Sequence, residues 1–400
     1  MAGPGAYYFG EEERKEVMDV LSSGHLSRYG DLDDPGFKRK VYTFEQEFAQ
    51  YCGTKYAVAT NSGTASLLIS LLAMGIGEGD EVLVPGYTYV ASISSIIYTR
   101  ATPVLVEIDD SLTIDPFDIE KKITKNTKAI MVVHMLGNPA KMDQIMEIAR
   151  RHKLYVLEDG CQAAGATYKG NKVGSIGNMG AFSLNRYKNI AAGDGGIITT
   201  NDKALYERAF AIHDQGHRPN RESKEASGDL IGLNLKMNEL TGAVALAQIR
   251  KLDEMLAILR EKKKIIKDQL KSTTTDIKFR ELNDSKGECN TLLTLIFDSK
   301  TKADAVAKNL GIKTLTGSGW HVYSNMQQII ENKTPTPNWH NNTRYSNPGD
   351  LPKTDDILSR SINISIGVVD NGLGAGFGIN IRSTVSEIEK AIDTIKQAIN

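Results

Sequence analysis

Residues 56–85 read YAVATNSGTASLLISLLAMGIGEGDEVLVP. A short apolar run, Tyr56–Thr60, is followed by Asn61-Ser62-Gly63-Thr64-Ala65 and then by a longer segment rich in Leu, Ile and Ala. A second short run, Glu81–Val84, closes the stretch. Short β-branched runs alternating with helix-length segments build a mostly parallel sheet with helices over both faces. The same alternation continues outward, through Pro103–Ile108, Ala129–His134, Tyr155–Leu157 and Ile197–Thr200. Between the fourth and fifth runs lies AKMDQIMEIARRH. Its apolar residues Met142, Ile145, Met146, Ile148 and Ala149 approximate one face of a helix. The pattern predicts an α/β fold.

The texture changes near residue 235. Residues 238–272 hold one glycine, no proline and mostly good helix formers. As a single helix they would extend about 50 Å. Beyond it, Thr291–Phe297 reads as a strand and Lys302–Leu310 as a helix. Val385–Ile399 reads as a final helix, opened by Thr384 and Glu387 at capping-box spacing. We therefore expect a large N-terminal domain over 1–254 and a smaller α/β domain over 255–400. Residues 333–356 carry four of the eleven prolines and read as a long surface loop.

Composition removes several function classes. The net charge of −1 offers no general attraction to nucleic acid or anionic membranes. No stretch approaches the roughly 20 apolar residues of a membrane span. The start, MAGPGAYYFGEEERKE, lacks the pattern of a secretory signal. Cys52, Cys161 and Cys289 are too few and too scattered for a disulfide framework or a zinc site. The expectation is a cytoplasmic protein without a metal, a nucleic-acid partner or a membrane partner.

Three segments carry chemistry. Asn61–Ala65 follows a strand and opens a helix, where free N–H groups suit a phosphate, or where Ser62 is simply an N-cap. Glu158-Asp159 ends a strand at the sheet edge where ligands of open α/β sheets bind, and Gln162 follows closely. Ala181–Gly196 reads AFSLNRYKNIAAGDGG and places Lys188 between a strand-like segment and a glycine-rich turn, with Ser183 five residues before it. Nine of the 36 glycines fall between Gly160 and Gly196, around the aspartate and the lysine. Pyridoxal phosphate needs this combination: a helix N-terminus for its phosphate, an acid for its ring nitrogen and a lysine for its aldehyde. Gly86-Tyr87-Thr88-Tyr89 adds an aromatic at another strand end.

The chain resembles the DegT/StrS-type sugar aminotransferases, within the fold type I pyridoxal phosphate enzymes. The matching segments are NSGTAS (61–66), GIGEGDEVLVPGYTYVAS (75–92), ATPVLVEID (101–109), LEDGCQAAGATYKGNKVGSIGNMGAFS (157–183), YKNIAAGDGGIITTND (187–202) and IGLNLKMNELTGAVALAQ (231–248). The resemblance implies that Lys188 is the Schiff-base lysine and Asp159 the partner of the ring nitrogen. Gln162 would lie near the ring hydroxyl and Tyr89 would stack on the ring, while Gly63, Thr64 and Ser183 would hold the phosphate. It further implies that Asn234 reaches the phosphate from the neighbouring subunit of a homodimer with shared active sites. The implied reaction moves an amino group from glutamate or glutamine to a keto-sugar. Alternatives on the same fold are a dehydratase or eliminase and a non-catalytic regulatory protein. The family's dehydratase branch carries histidine where this chain has Lys188.

Departures from the family pattern fall on the substrate side. Asn185 and Arg186 replace the usual His-Pro before the lysine. Asp194 stands for a glutamate, and Leu235-Lys236 for an aromatic and an arginine. Arg28 is a candidate for an acidic group on the acceptor, with a plain surface arginine as the simpler reading. His321 is either a substrate-side or a packed histidine. His213 and His217, near Arg218, are read as belonging to a solvated loop.

Overall fold

The computed structural model describes residues 1–31, 33–219, 230–272, 277–336, 339 and 345–399. The apolar runs become β1 (Tyr56–Thr60), β2 (Glu81–Pro85), β3 (Thr102–Val106), β4 (Thr127–Val133) and β5 (Tyr155–Asp159). A small hairpin, β6 (Thr167–Tyr168) and β7 (Asn171–Lys172), precedes β8 (Met179–Ser183) and β9 (Gly196–Thr200). Apart from the hairpin, these form one seven-stranded sheet in the order β1-β9-β8-β5-β4-β2-β3. Only β9 runs against its neighbours; the β2–β3, β2–β4, β4–β5 and β5–β8 pairs are parallel.

Side chains of successive strand residues enter different cores, as the two-residue period of a strand requires. Val82 and Val84 face one core and Leu83 the other; Met131 and Val133 oppose Ile130 and Val132. The first core is covered by the helices Gly63–Ala73, Val90–Tyr98 and Lys203–His213. Over β2–β5 the other face is covered by Met142–His152. Over β1 and β9 it is covered by Lys40–Cys52 and the long helix. Burial on both faces explains why these strands read as unbroken apolar runs.

The long helix spans Glu239–Lys271, 33 residues, and opens with the Asn238 side chain capping the Thr241 N–H. Position 254/255 falls inside it. Its N-terminal half meets the helices Glu11–Ser23 and Lys40–Cys52, through Arg250 with Glu16 and Glu47 and through Lys251 with Glu13. Its C-terminal half meets the second α/β unit, through Lys263 with Glu288 and Lys396 with Gln269. That unit is an antiparallel sheet of β10 (Lys278–Phe279), β11 (Leu292–Ile296) and β12 (Ser361–Ser365), with Lys300–Asn309 and Val385–Ile399 packed on it. Thr384 and Glu387 form the expected reciprocal cap.

The loop expected over 333–356 is corrected in part. Pro352–Ser359 is a helix, because proline at a first helical turn initiates as readily as it interrupts. The Trp339 indole donates to the Ile97 carbonyl at 3.1 Å. Residues 337–338 and 340–344 of that stretch lie outside the described residues.

Candidate active site

A cavity of about 690 Å³ opens at the carboxyl ends of β1, β2, β4, β5 and β8 and is closed on one side by loops of the second unit. Its volume suits a cofactor-sized ligand. Gly63, Thr64, Tyr89, Asp159, Gln162, Ser183, Asn185, Lys188 and His321 all line it. Residues separated by more than 250 positions in sequence thus meet in one space.

β1 delivers the helix Gly63–Ala73. Ser62 is its N-cap, accepting the Ala65 N–H at 3.1 Å, so the N-cap reading holds. The cap satisfies one first-turn donor, and the remaining N–H groups and the helix dipole still favour an anion. A Cβ on Gly63 would lie 2.5 Å from the Ser183 Cβ, so only glycine lets β8 approach this helix end so closely. The two strand ends therefore place Thr64 and the Ser183 hydroxyl on the wall of the same cavity.

β5 delivers Asp159, which is 4% exposed. Ser92 donates its hydroxyl to Asp159 Oδ2 at 2.7 Å, and the Cys161 N–H donates to Oδ1 at 3.1 Å. Thr88 bonds the Ser92 hydroxyl at 2.6 Å. Thr88 and Ser92 were missed in the sequence. Their signal was two hydroxyl residues four apart, on one face of a helix start at the sheet edge. Burial, with the charge of Asp159 adding to it, holds the Cys161 thiol well above the usual thiol range, so it lines the cavity as a neutral group.

Gln162 uses its side-chain oxygen to accept the Leu136 N–H at 3.0 Å. Tyr89 is 42% exposed, and its ring centroid lies 5.1 Å from that of His321. His321 is both packed and at the site. It is 7% exposed, and its Nδ1 faces the carbonyls of Gly372 and Ser318 at 3.0 and 3.3 Å, so Nδ1 carries the proton and donates. Burial, with the charge of Lys188 next, lowers its pKa to about 4. Trp320, Asp370 and Gly372 of the second unit also line the cavity and were not singled out in the sequence.

Three candidates lie outside this lining. Arg28 is corrected from a surface residue to a buried one: Nη2 pairs with Glu45 at 3.0 Å, and Nη1 donates to His213 Nε2 at 3.0 Å. A guanidinium committed to those partners is not free to meet an acceptor. Arg186 is exposed, with its backbone carbonyl bonded to the Gly3 N–H, while Asn185 beside it does line the cavity. Asn234 is exposed and forms a backbone bridge with Asp214. His213, expected in a solvated loop, is fully buried at the end of the helix Lys203–His213; His217 is exposed.

The fold is that of the fold type I pyridoxal phosphate-dependent transferases, a mostly parallel sheet with its site at the strand carboxyl ends. The chain belongs to the DegT/DnrJ/EryC1/StrS aminotransferase family, whose model matches residues 8–369. It is 44% identical over 246 residues to a GDP-perosamine synthase of Caulobacter vibrioides, a match covering 61% of this chain and 63% of that one. The matched region thus spans less than two thirds of that relative's length. Among solved structures, an aminotransferase from Psychrobacter cryohalolentis superposes with a TM-score of 0.81 at 28% identity, covering 97% of this chain and 96% of that one. DesV of S. venezuelae, solved in complex with a ketimine intermediate, superposes with a TM-score of 0.77 at 28% identity, covering 97% and 95%.

Proposed function

We propose that this protein is a pyridoxal phosphate-dependent aminotransferase that moves an amino group from glutamate or glutamine to a keto-sugar. The observation that carries the proposal is the presence of Lys188 and the buried, hydroxyl-braced Asp159 in one cavity with the N-terminus of the helix Gly63–Ala73. The cavity fits the cofactor in size and in donor chemistry. When bound, pyridoxal phosphate supplies an aldehyde and an electron-accepting ring.

The chain's own residues divide the work. The N–H groups of the first helical turn, with Thr64 and Ser183, would hold the phosphate. Asp159, oriented by the Ser92 hydroxyl and the Cys161 N–H, would pair with the ring nitrogen. Tyr89 would cover a ring face, and Gln162 would sit by the ring hydroxyl. The Lys188 amine would anchor the cofactor and, once released by the amino donor, carry a proton to and from the substrate carbon. His321, neutral above a pH of about 4, presents no added charge to an uncharged sugar.

The same reading makes the protein a cytoplasmic homodimer in which Asn234 of each subunit completes the neighbouring phosphate site. Its exposure on a single chain agrees with that role. Among the described residues no helix is long and apolar enough to cross a membrane. A dehydratase reading is disfavoured by Lys188, and a non-catalytic one by retention of both Lys188 and Asp159.

The test is product analysis. Purified protein supplied with pyridoxal phosphate, glutamate and a nucleotide-linked keto-sugar should release 2-oxoglutarate and an amino-sugar, whereas Lys188→Ala should fold and release neither. Full turnover by the Lys188→Ala variant would overturn the assignment.

A further inference from the structure

Residues 2–5 are buried and lie against the turn that carries Lys188. The Gly3 N–H donates to the Arg186 carbonyl at 3.0 Å, and the Gly5 N–H donates to the carbonyl of Lys188 itself at 3.3 Å. The approach is too close for any side chain. A Cβ on Gly3 would lie 2.3 Å from both the carbonyl carbon and oxygen of Tyr187. One on Gly5 would lie 2.7 Å from the Ala191 nitrogen and the Asn189 oxygen.

The same segment is tied to two other elements. The Ala2 carbonyl accepts the Val369 N–H at 3.0 Å, and Val368 and Asp370, either side of Val369, line the cavity. Gln248 of the long helix donates to the Gly5 carbonyl at 3.2 Å and accepts the Ala191 N–H at 3.3 Å. It is itself held by Glu13 at 2.6 Å. On its far side the lysine turn runs into Gly193 and Gly195, both at positive φ, which add little stiffness of their own.

We infer that residues 2–5 are a positioning strap for Lys188, setting the height of its backbone and linking it to the 368–370 wall through backbone hydrogen bonds. The inference rests on Lys188 being the residue that bonds the cofactor. None of the strap residues touches the reacting atoms, so its effect is geometric. A reacting group displaced by about 1 Å loses on the order of 10²-fold in rate.

The test compares Gly3→Ala and Gly5→Ala with a control, Gly77→Ala, whose Cβ would meet nothing closer than 3.9 Å. Two readouts are used at a temperature where every variant is folded by circular dichroism. In cofactor-free protein, hydrogen–deuterium exchange over residues 184–192 should quicken about tenfold in each strap variant, because the turn opens more often once the Arg186 or Lys188 carbonyl loses its strap N–H donor, and not in the control. With pyridoxal phosphate as probe, borohydride trapping followed by peptide mapping should label Lys188 in the wild type, and at least about tenfold more slowly in the strap variants. Unchanged exchange and unchanged trapping in both strap variants overturn the strap. Trapping on a different lysine in the wild type overturns the role of Lys188 instead, so the two failures are distinguishable. If neither variant folds, the wild type decides. Pyridoxal phosphate should protect the Gly3 and Gly5 amides together with 184–192, and protection of the turn without the strap overturns the inference.

Discussion

The Ser92 hydroxyl stands 2.7 Å from Asp159 Oδ2, and both residues are buried, although they come from different crossovers of the sheet. A hydrogen bond to a buried carboxylate is among the stronger ones, at about 1.5–3 kcal/mol. Ser92→Ala removes it while leaving the fold's apolar packing intact. Pyridoxal phosphate affinity, measured by titration, should fall about tenfold or more, since that energy range corresponds to such a factor. Ser92→Thr should recover part of the loss. Equal affinity in Ser92→Ala and wild type would remove Ser92 from the site.

Arg28 separates a structural from a substrate role. Arg28→Ala leaves Glu45 buried without its cation, a change that costs about 3–5 kcal/mol. The Glu45 Oε1 would keep its bond from the Ala59 N–H at 2.7 Å, but the pair would be gone. We expect a large loss in urea-unfolding free energy, with the KM for the keto-sugar unchanged in whatever fraction remains folded. A raised KM with normal stability would restore Arg28 to the substrate side.

Two buried histidines predict an acid limb. Burial, then the charge of Arg28, lowers the pKa of His213 to about 3, and burial, then Lys188, lowers that of His321 to about 4, both from 6.5. Their folded values lie below the unfolded one, so stability is complete above pH 6.5. It declines as pH falls toward those values, because the unfolded chain takes up protons that the folded chain refuses. The slope is at most about 1.4 kcal/mol per pH unit per histidine. His321→Gln should therefore lose less thermal stability than wild type between pH 7 and pH 5. An identical loss in both proteins contradicts the burial argument.

Asn234 predicts complementation. Lys188→Ala and Asn234→Ala each disable a site, but if sites are shared, a mixed dimer holds one site with an intact lysine and an intact asparagine. Random reassociation of equal amounts should restore about a quarter of wild-type activity, as expected for a two-fold dimer. No recovery above the sum of the parents places Asn234 in its own subunit's site.

How much of this was legible in sequence follows the physics of each feature. Lys188, Asp159 and the Gly63-Thr64 turn were legible as candidates because each lies at the end of a strand or in the segment just after it, and strands buried on both faces announce themselves as apolar runs. Arg28 and His213 were misread because burial of a polar side chain depends on its partner. His213 lies 185 positions from Arg28 and Glu45 lies 17, in the next helix, and nothing local in GHLSRYGD reveals either partner. Pro352 was read as part of a long surface loop when it starts a helix, since proline suits both settings and only its neighbours choose.

The order of chemical residues along the chain by itself determined the fold class and the family, and it put forward the lysine, acid and phosphate-binding turn of the proposed site. These rest on local periodicity and on motifs read at consecutive positions. Tertiary structure alone decided what surrounds them: Ser92 bracing Asp159, His321 held neutral beside Lys188, and Gly3 and Gly5 pressed on the lysine turn. Such contacts join residues far apart along the chain, 67 positions for Ser92–Asp159 and 183 for Gly5–Lys188. No one-dimensional pattern encodes them, because burial and hydrogen-bond geometry exist only once the sheet has gathered its strand ends.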